Sequence, residues 1–218
     1  MQALTLRTPM QPPHRDQPTL VQYMCERTRH LHSQAERSGI VAAILAGSAT
    51  RSGYALYLRN LLPAYQAMEQ ALQRRRAEPG IAGLAQEPLF RAAGIAADLE
   101  DLAGRDWRFA LPLLGSGERY GARIAAVADD PRLIAHVYTR YLGDLNRGRV
   151  LRAQLLRGFG PDFPMRFMAL PAMPDAAAFS QALNAAGERV VDTDAIVQEA
   201  AMAFELSIAI STEVAALT

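Results

Sequence analysis

Apolar residues fall three and four apart through nearly every segment of the chain, and no segment alternates convincingly with a period of two. Such a sequence can bury its apolar faces only by packing helix on helix, so the predicted fold class is all-α. From 18 to 36, Val21, Cys25, Thr28, His32 and Ala35 share one face behind Pro18, a good first-turn residue, so His32 points toward a core. A short helix is predicted at 40–45. A long one at 51–76 carries a broad stripe that includes Tyr54, Leu58, Leu61, Tyr65, Met68 and Leu72, with a kink expected at Pro63. Further helices are predicted at 87–102, 116–128, 131–157, 174–188 and 192–216. A polar joint lies at 77–83, a Pro- and Gly-rich loop at 158–174, and Asp192 or Thr193 can cap the last helix. The expected organisation is one helical domain over 17–218 preceded by a flexible arm over 1–16, which contains Pro9, Pro12 and Pro13.

Composition removes several function classes. All 23 cationic side chains are Arg, which excludes chemistry that needs a lysine amine, such as a pyridoxal Schiff base or a phosphate-loop lysine. Cys25, the single cysteine, cannot form an internal disulfide or hold an iron–sulfur cluster. A net charge of +1 gives no electrostatic case for nucleic acid or a membrane surface as partner. The N-terminus has no apolar signal core, and no stretch reads as a membrane span, so a soluble, cytoplasmic monomer is expected.

The main anomaly lies within 131–157. Gly143 and Gly148 interrupt a strong helical pattern, and each costs about 1 kcal/mol relative to Ala. Two readings stay open: a close crossing of two helices, or a flat ligand lying against the helix where side chains are missing.

The run from His136 to Leu145, His-Val-Tyr-Thr-Arg-Tyr-Leu-Gly-Asp-Leu, is similar to the distal-helix signature of heme oxygenases, the biliverdin-forming enzymes. His32-Ser33-Gln34-Ala35-Glu36 resembles their proximal motif, Tyr65 matches a family tyrosine facing the distal pocket, and Phe204 matches a family aromatic there. The resemblance runs from about Leu20 to the C-terminus. It implies a bundle in which heme is sandwiched between a proximal helix, with His32 as iron ligand, and a kinked distal helix that approaches by backbone at Gly143 and Gly148. Arg29, Glu36, Tyr138, Arg147 and Phe204 are the other implied heme contacts, with Glu36 either orienting His32 or simply solvated. Asp144, Tyr65 and Arg140 are the implied catalytic residues, organising the water that delivers protons. Arg140 and Asp144, one turn apart, can also form a salt bridge.

The implied activity is oxidative opening of heme, substrate and cofactor at once, to biliverdin, carbon monoxide and ferrous iron. It uses O2, with electrons from a ferredoxin or flavoprotein reductase, because the sequence has no flavin or dinucleotide fingerprint. The alternatives are a non-degrading heme-binding homologue (sensor, carrier or pseudo-enzyme) and another enzyme on the same scaffold. Paired Glu-x-x-His motifs for a di-iron site are lacking. The chain also departs from the family pattern. Asn146-Arg147-Gly148-Arg149 stands where the family has Ser-Gly-Gly-Gln, so Arg147 can clash with heme, reach a propionate or pair with Asp144. Cys25, Ser180 and Asn184 occupy positions where basic residues often stand, and Ser207 replaces an asparagine. His14, His30 and His136 are expected to be structural or solvent-exposed.

Overall fold

The computed structural model describes residues 18–169 and 176–218; the arm expected at 1–16 and the end of the loop expected at 158–174 lie outside them. Among the described residues there is no strand, and the helices follow the periodicity: α1 Leu20–Glu36, α2 Gly39–Ala46, α3 Arg51–Arg74, α4 Ala92–Ala103, α5 Trp107–Ala110, α6 Gly115–Ala126, α7 Leu133–Val137, α8 Gly143–Phe159, α9 Ala176–Gly187 and α10 Thr193–Ala215. Thr19 caps α1 through its hydroxyl, with Gln22 returning the bond, and Asp192 caps α10 by accepting from the Ala195 N–H at 3.0 Å.

Helix α3 is the centre of the bundle. Tyr54, Leu58, Leu61, Tyr65, Met68 and Leu72 are all fully buried along it, and it continues as one helix through Pro63. Helix α6 crosses it closely. A Cβ on Gly117 would lie 2.9 Å from the Asn60 carbonyl oxygen, and one on Gly121 would lie 2.8 Å from Pro63 Cβ, so these two glycines are the ones that let backbones meet. At Gly39, with φ +53°, the opening of α2 presses against Ser211 of α10, where a Cβ would fall 2.0 Å from the carbonyl oxygen.

Two differences from the sequence reading have identifiable causes. The helix expected at 87–102 breaks into a 3-10 turn, Glu87–Leu89, and α4, because the α4 N-terminus is capped from outside: the carboxylate of Glu69 on α3 accepts from the N–H groups of Arg91 and Ala92. The helix expected at 131–157 divides into α7, a π-helical turn at Tyr138–Leu142 and α8. Such turns carry no periodicity signal, since they add one residue to an otherwise helical run.

By length and composition α10 is apolar enough to cross a bilayer, which the sequence reading did not register. Its apolarity serves the core: Ile196, Ala200, Ala203, Ile210 and Val214 are buried, and α10 packs on α1, α2, α6 and α7. It also carries Glu199, 3% exposed, which receives two hydrogen bonds from Arg123 of α6 and one of 2.9 Å from His136 Nε2 of α7. His136 is thus structural. Its buried Nδ1 has no partner, which fits a neutral ring that donates only through Nε2.

Burial pushes the His136 pKa down, so the fold prefers the neutral ring. Burial works against the charge on Glu199, but His136 and Arg123 outweigh it and bring that carboxyl down to about 2. In both groups the unfolded chain binds more protons than the folded one. Their stabilisation is therefore complete above the ordinary histidine pKa of 6.5 and is lost as pH falls through that value and then through 4.5 toward 2. Glu199→Gln is expected to lower stability at pH 7 by about 3 kcal/mol and to flatten this acid limb in urea titrations. An unchanged acid limb would assign it to other carboxylates.

Candidate functional site

Helices α1 and α8 face each other across a cavity of about 380 Å³, within the range of small-molecule sites. From α1 come Val21, Cys25, His32, Ala35 and Glu36; from α8 come Gly143, Asp144, Asn146, Gly148 and Leu151. Phe167 and Met168 from the loop, Ser180 from α9, and Phe204 and Ser207 from α10 close the sides.

The two anomalous glycines sit on its wall. A Cβ added at Gly143 or at Gly148 meets no atom within 4 Å, so neither marks a close helix crossing. Of the two readings, helix crossing is therefore removed for these positions; their missing side chains leave open volume in the cavity. Across it, His32 is held edge-to-face against Phe204 at 5.7 Å between ring centres. His32 Nδ1 lies 3.8 Å from Glu36 Oε1, too far for a hydrogen bond but close enough for a favourable electrostatic contact. This geometry leaves the other ring nitrogen, Nε2, for a further partner.

Beside Gly143 the wall is polar. Tyr65 of α3 donates its hydroxyl proton to Asp144 Oδ2 at 2.6 Å. Arg140, on the π turn, donates through Nε to the Tyr65 oxygen at 3.2 Å and through Nη1 to Ser207 Oγ at 3.1 Å, with Nη2 3.8 Å from Asp144 Oδ1. The phenols of Tyr57 and Tyr120 lie near the same guanidinium. Burial raises the Asp144 pKa, an effect opposed by Arg140 and the Tyr65 hydrogen bond. Burial likewise pushes Tyr65 well up, so it remains a neutral donor. Burial disfavours the charge on Arg140, but its tyrosine and Asp144 neighbours prevail and keep it cationic. The result is a carboxylate facing the cavity with one oxygen fixed by a phenol and its charge balanced from behind.

The π turn contributes to this arrangement. It puts Thr139, Arg140, Leu142 and Gly143 on the cavity wall, while Tyr141 turns into the core and donates to Glu69 at 3.2 Å. Loop residues 166 and 167 are pinned by Asp98, which accepts from both N–H groups at 2.8 Å, and Phe167 then packs edge-to-face on Tyr65 at 5.5 Å.

Of the residues singled out from the sequence, His32, Glu36, Tyr138, Arg140, Gly143, Asp144, Gly148 and Phe204 line one cavity, and Tyr65 reaches it through Asp144. Arg29 is exposed and does not line it, since it lies to one side of the Cys25–His32 face. The side chain of Arg147 lies outside what is described. Cys25 and Ser180 line the cavity, and Asn184 accepts from the Val21 N–H at 3.0 Å, so the α1–α9 edge has neutral polar groups where cations often stand. Tyr138 lies at this edge too, its pKa pushed by burial to about 12, with Thr28 and Cys25 as hydrogen-bonding neighbours. Sequence reasoning missed the roles of Tyr57, Tyr120 and Glu69. The signal available for Glu69 was a carboxylate one turn after Tyr65, inside an apolar stripe.

The family profile described as heme oxygenase matches residues 19–213. The chain is 34% identical over 190 residues to a heme oxygenase of Takifugu rubripes, covering 83% of this chain and 69% of that protein. It is 31% identical over 186 residues to heme oxygenase 1 of Synechocystis sp., covering 79% and 78%. The crystal structure of the Synechocystis heme oxygenase-1 in complex with heme superposes with a TM-score of 0.81 at 28% identity, covering 90% of this chain and 92% of that one.

Proposed function

The chain belongs to the heme oxygenase family, and from that premise we propose that its α1–α8 cavity binds heme and opens it oxidatively to biliverdin, carbon monoxide and ferrous iron. The observation that carries the reading is the cavity itself: a histidine on one wall and, opposite, two helix glycines whose missing side chains leave open space. A flat, apolar macrocycle fits walls of this kind, and the Synechocystis relative of matching fold is a heme complex. Bound heme supplies the iron at which dioxygen is reduced, and is itself the ring that is cut.

His32 would hold the iron through Nε2, with Glu36 on the Nδ1 side favouring the orientation of the ring. Gly143 and Gly148 would let the plane rest on backbone and deny the open face a protein ligand. Phe167, Met168 and Phe204, each under a tenth exposed, would exclude bulk water. Asp144 would hold water and pass its proton toward the reacting oxygen, and Tyr65 and Arg140 would fix where that carboxylate points. Cys25, Tyr138 and Ser180 would meet the propionate edge as neutral donors. O2 and an external one-electron donor, a ferredoxin or flavoprotein reductase, complete the reaction, which a monomer in the cytoplasm would carry out.

The test is a heme titration followed by reductant and air. The expected results are a Soret band that His32→Ala alters and, with electrons, conversion to an extractable bilin with release of carbon monoxide. A stable complex yielding no bilin would reject the enzyme and leave a heme carrier or sensor. Absence of any Soret change would reject both.

A further inference from the structure

Next to the cavity, along the flank of α8 that carries Arg149 and Arg152, lies a second pocket, lined by these two with Arg91 and Arg166 and by Glu87, Pro88, Phe90, Met168 and Ala169. Four guanidinium groups share this pocket with a single lining carboxylate, Glu87, so positive charge is in excess on its walls. Arg166 is already balanced by Asp101 and Asp98. Arg149 and Arg152 are exposed, and neither has an ion pair among the described residues.

Arg91 is the distinguishing residue. It is 3% exposed, yet its Nε and Nη2 have no hydrogen-bond partner, and Nη1 has only a long contact, 3.4 Å, with the Ala169 carbonyl oxygen. Its backbone is fixed by the Glu69 cap at the start of α4, so the side chain is anchored at its root. A buried guanidinium left this way is costly, because five donors have lost water and gained one poor acceptor. An oxyanion entering the pocket removes the penalty for a small shift of the guanidinium fork. The charge of Arg91 is felt by the Glu69 and Asp144 carboxylates, so what it offers is unfilled donors; with the two unpaired arginines of α8 these suit the several oxygens of a phosphate better than the two of a single carboxylate.

We propose that Arg91, Arg149 and Arg152 form a binding site for the phosphate group of a small molecule, either inorganic phosphate or a phosphate monoester. The site adjoins the α1–α8 cavity, with Met168 lining both, but neither its chemistry nor its test involves heme. Because Arg149 and Arg152 sit on α8 and Arg91 opens α4, an occupant ties that flank of α8 to α4.

Calorimetric titration at constant ionic strength, with sodium chloride as the balancing salt, tests this on the full chain without heme. Inorganic phosphate or glycerol 1-phosphate is expected to bind saturably at one site per chain, the tighter of the two naming the source. Arg91→Met is expected to weaken binding about tenfold or more, and Arg149→Ala with Arg152→Ala by a similar factor. If Arg91→Met fails to fold, as judged by circular dichroism, the α8 double variant carries the test, since both of its side chains are exposed. Absence of saturable binding by either ligand overturns the proposal. So does binding that the double variant leaves unchanged, or tighter binding of succinate than of both phosphates.

Discussion

Asp144→Asn is expected to leave heme bound with an unaltered Soret band while biliverdin formation falls about 100-fold or more. The amide keeps the shape of the side chain and can still accept the Tyr65 hydroxyl, which lies 2.6 Å from Oδ2, so the cavity wall stays in place. What it loses is the ability to carry a proton. The native carboxyl has a pKa raised by burial, which makes it a better proton carrier near neutrality than a solvated aspartate. It also loses the charge opposite Arg140, whose remaining partners, Tyr65 and Ser207, are neutral. The expected kinetic signature is a fall in kcat with little change in heme affinity. Turnover near that of the unmodified protein would mean that protons reach the ring without this carboxylate.

Gly143→Leu is expected to stabilise the protein and to weaken heme binding about a hundredfold or more. These two effects normally oppose each other, which makes the combination diagnostic. A Cβ at Gly143 has open space around it, so the substitution gains helix propensity of about 1 kcal/mol without disturbing a neighbour. The remainder of the leucine side chain then occupies the volume where the macrocycle would lie. Gly121→Ala is the control of opposite sign. Its Cβ would lie 2.8 Å from Pro63 Cβ, so it is expected to lower stability by about 1–3 kcal/mol while leaving heme affinity nearly intact. Melting curves and heme titrations on the three proteins measure both quantities. Loss of stability in Gly143→Leu would return this glycine to a packing role.

The helices were legible in the sequence because each buries a stripe at helical spacing. A capping side chain also marked the start of α10, whereas α1 begins not with Pro18 as its first turn but at Leu20, behind the cap at Thr19. The boundary at α4 was not legible, because its cap is Glu69, a residue over twenty positions earlier on another helix. The π turn was invisible for a different reason: its end residues, Tyr138 and Leu142, keep right-handed helical dihedrals, and it is the hydrogen-bond pattern that changes. Within the site, His32, Gly143 and Asp144 were readable from local motifs. Ser207 was noticed for its identity, but its contact with Arg140 spans 67 positions and has no local trace. Tyr57 and Tyr120 are buried core aromatics, and only their burial beside a guanidinium gives them electrostatic weight. The glycine anomaly, ambiguous from spacing alone, was decided by what surrounds each position. Gly117 and Gly121 touch another helix, whereas Gly143 and Gly148 touch nothing.

A crystal structure of the protein grown with heme tests the central claim most directly. The expected result is a porphyrin lying between α1 and α8, iron bonded to His32 Nε2, its opposite face over the backbone at Gly143, and no side chain on that face. A porphyrin bound elsewhere, or iron ligated by any group other than His32, would contradict the account.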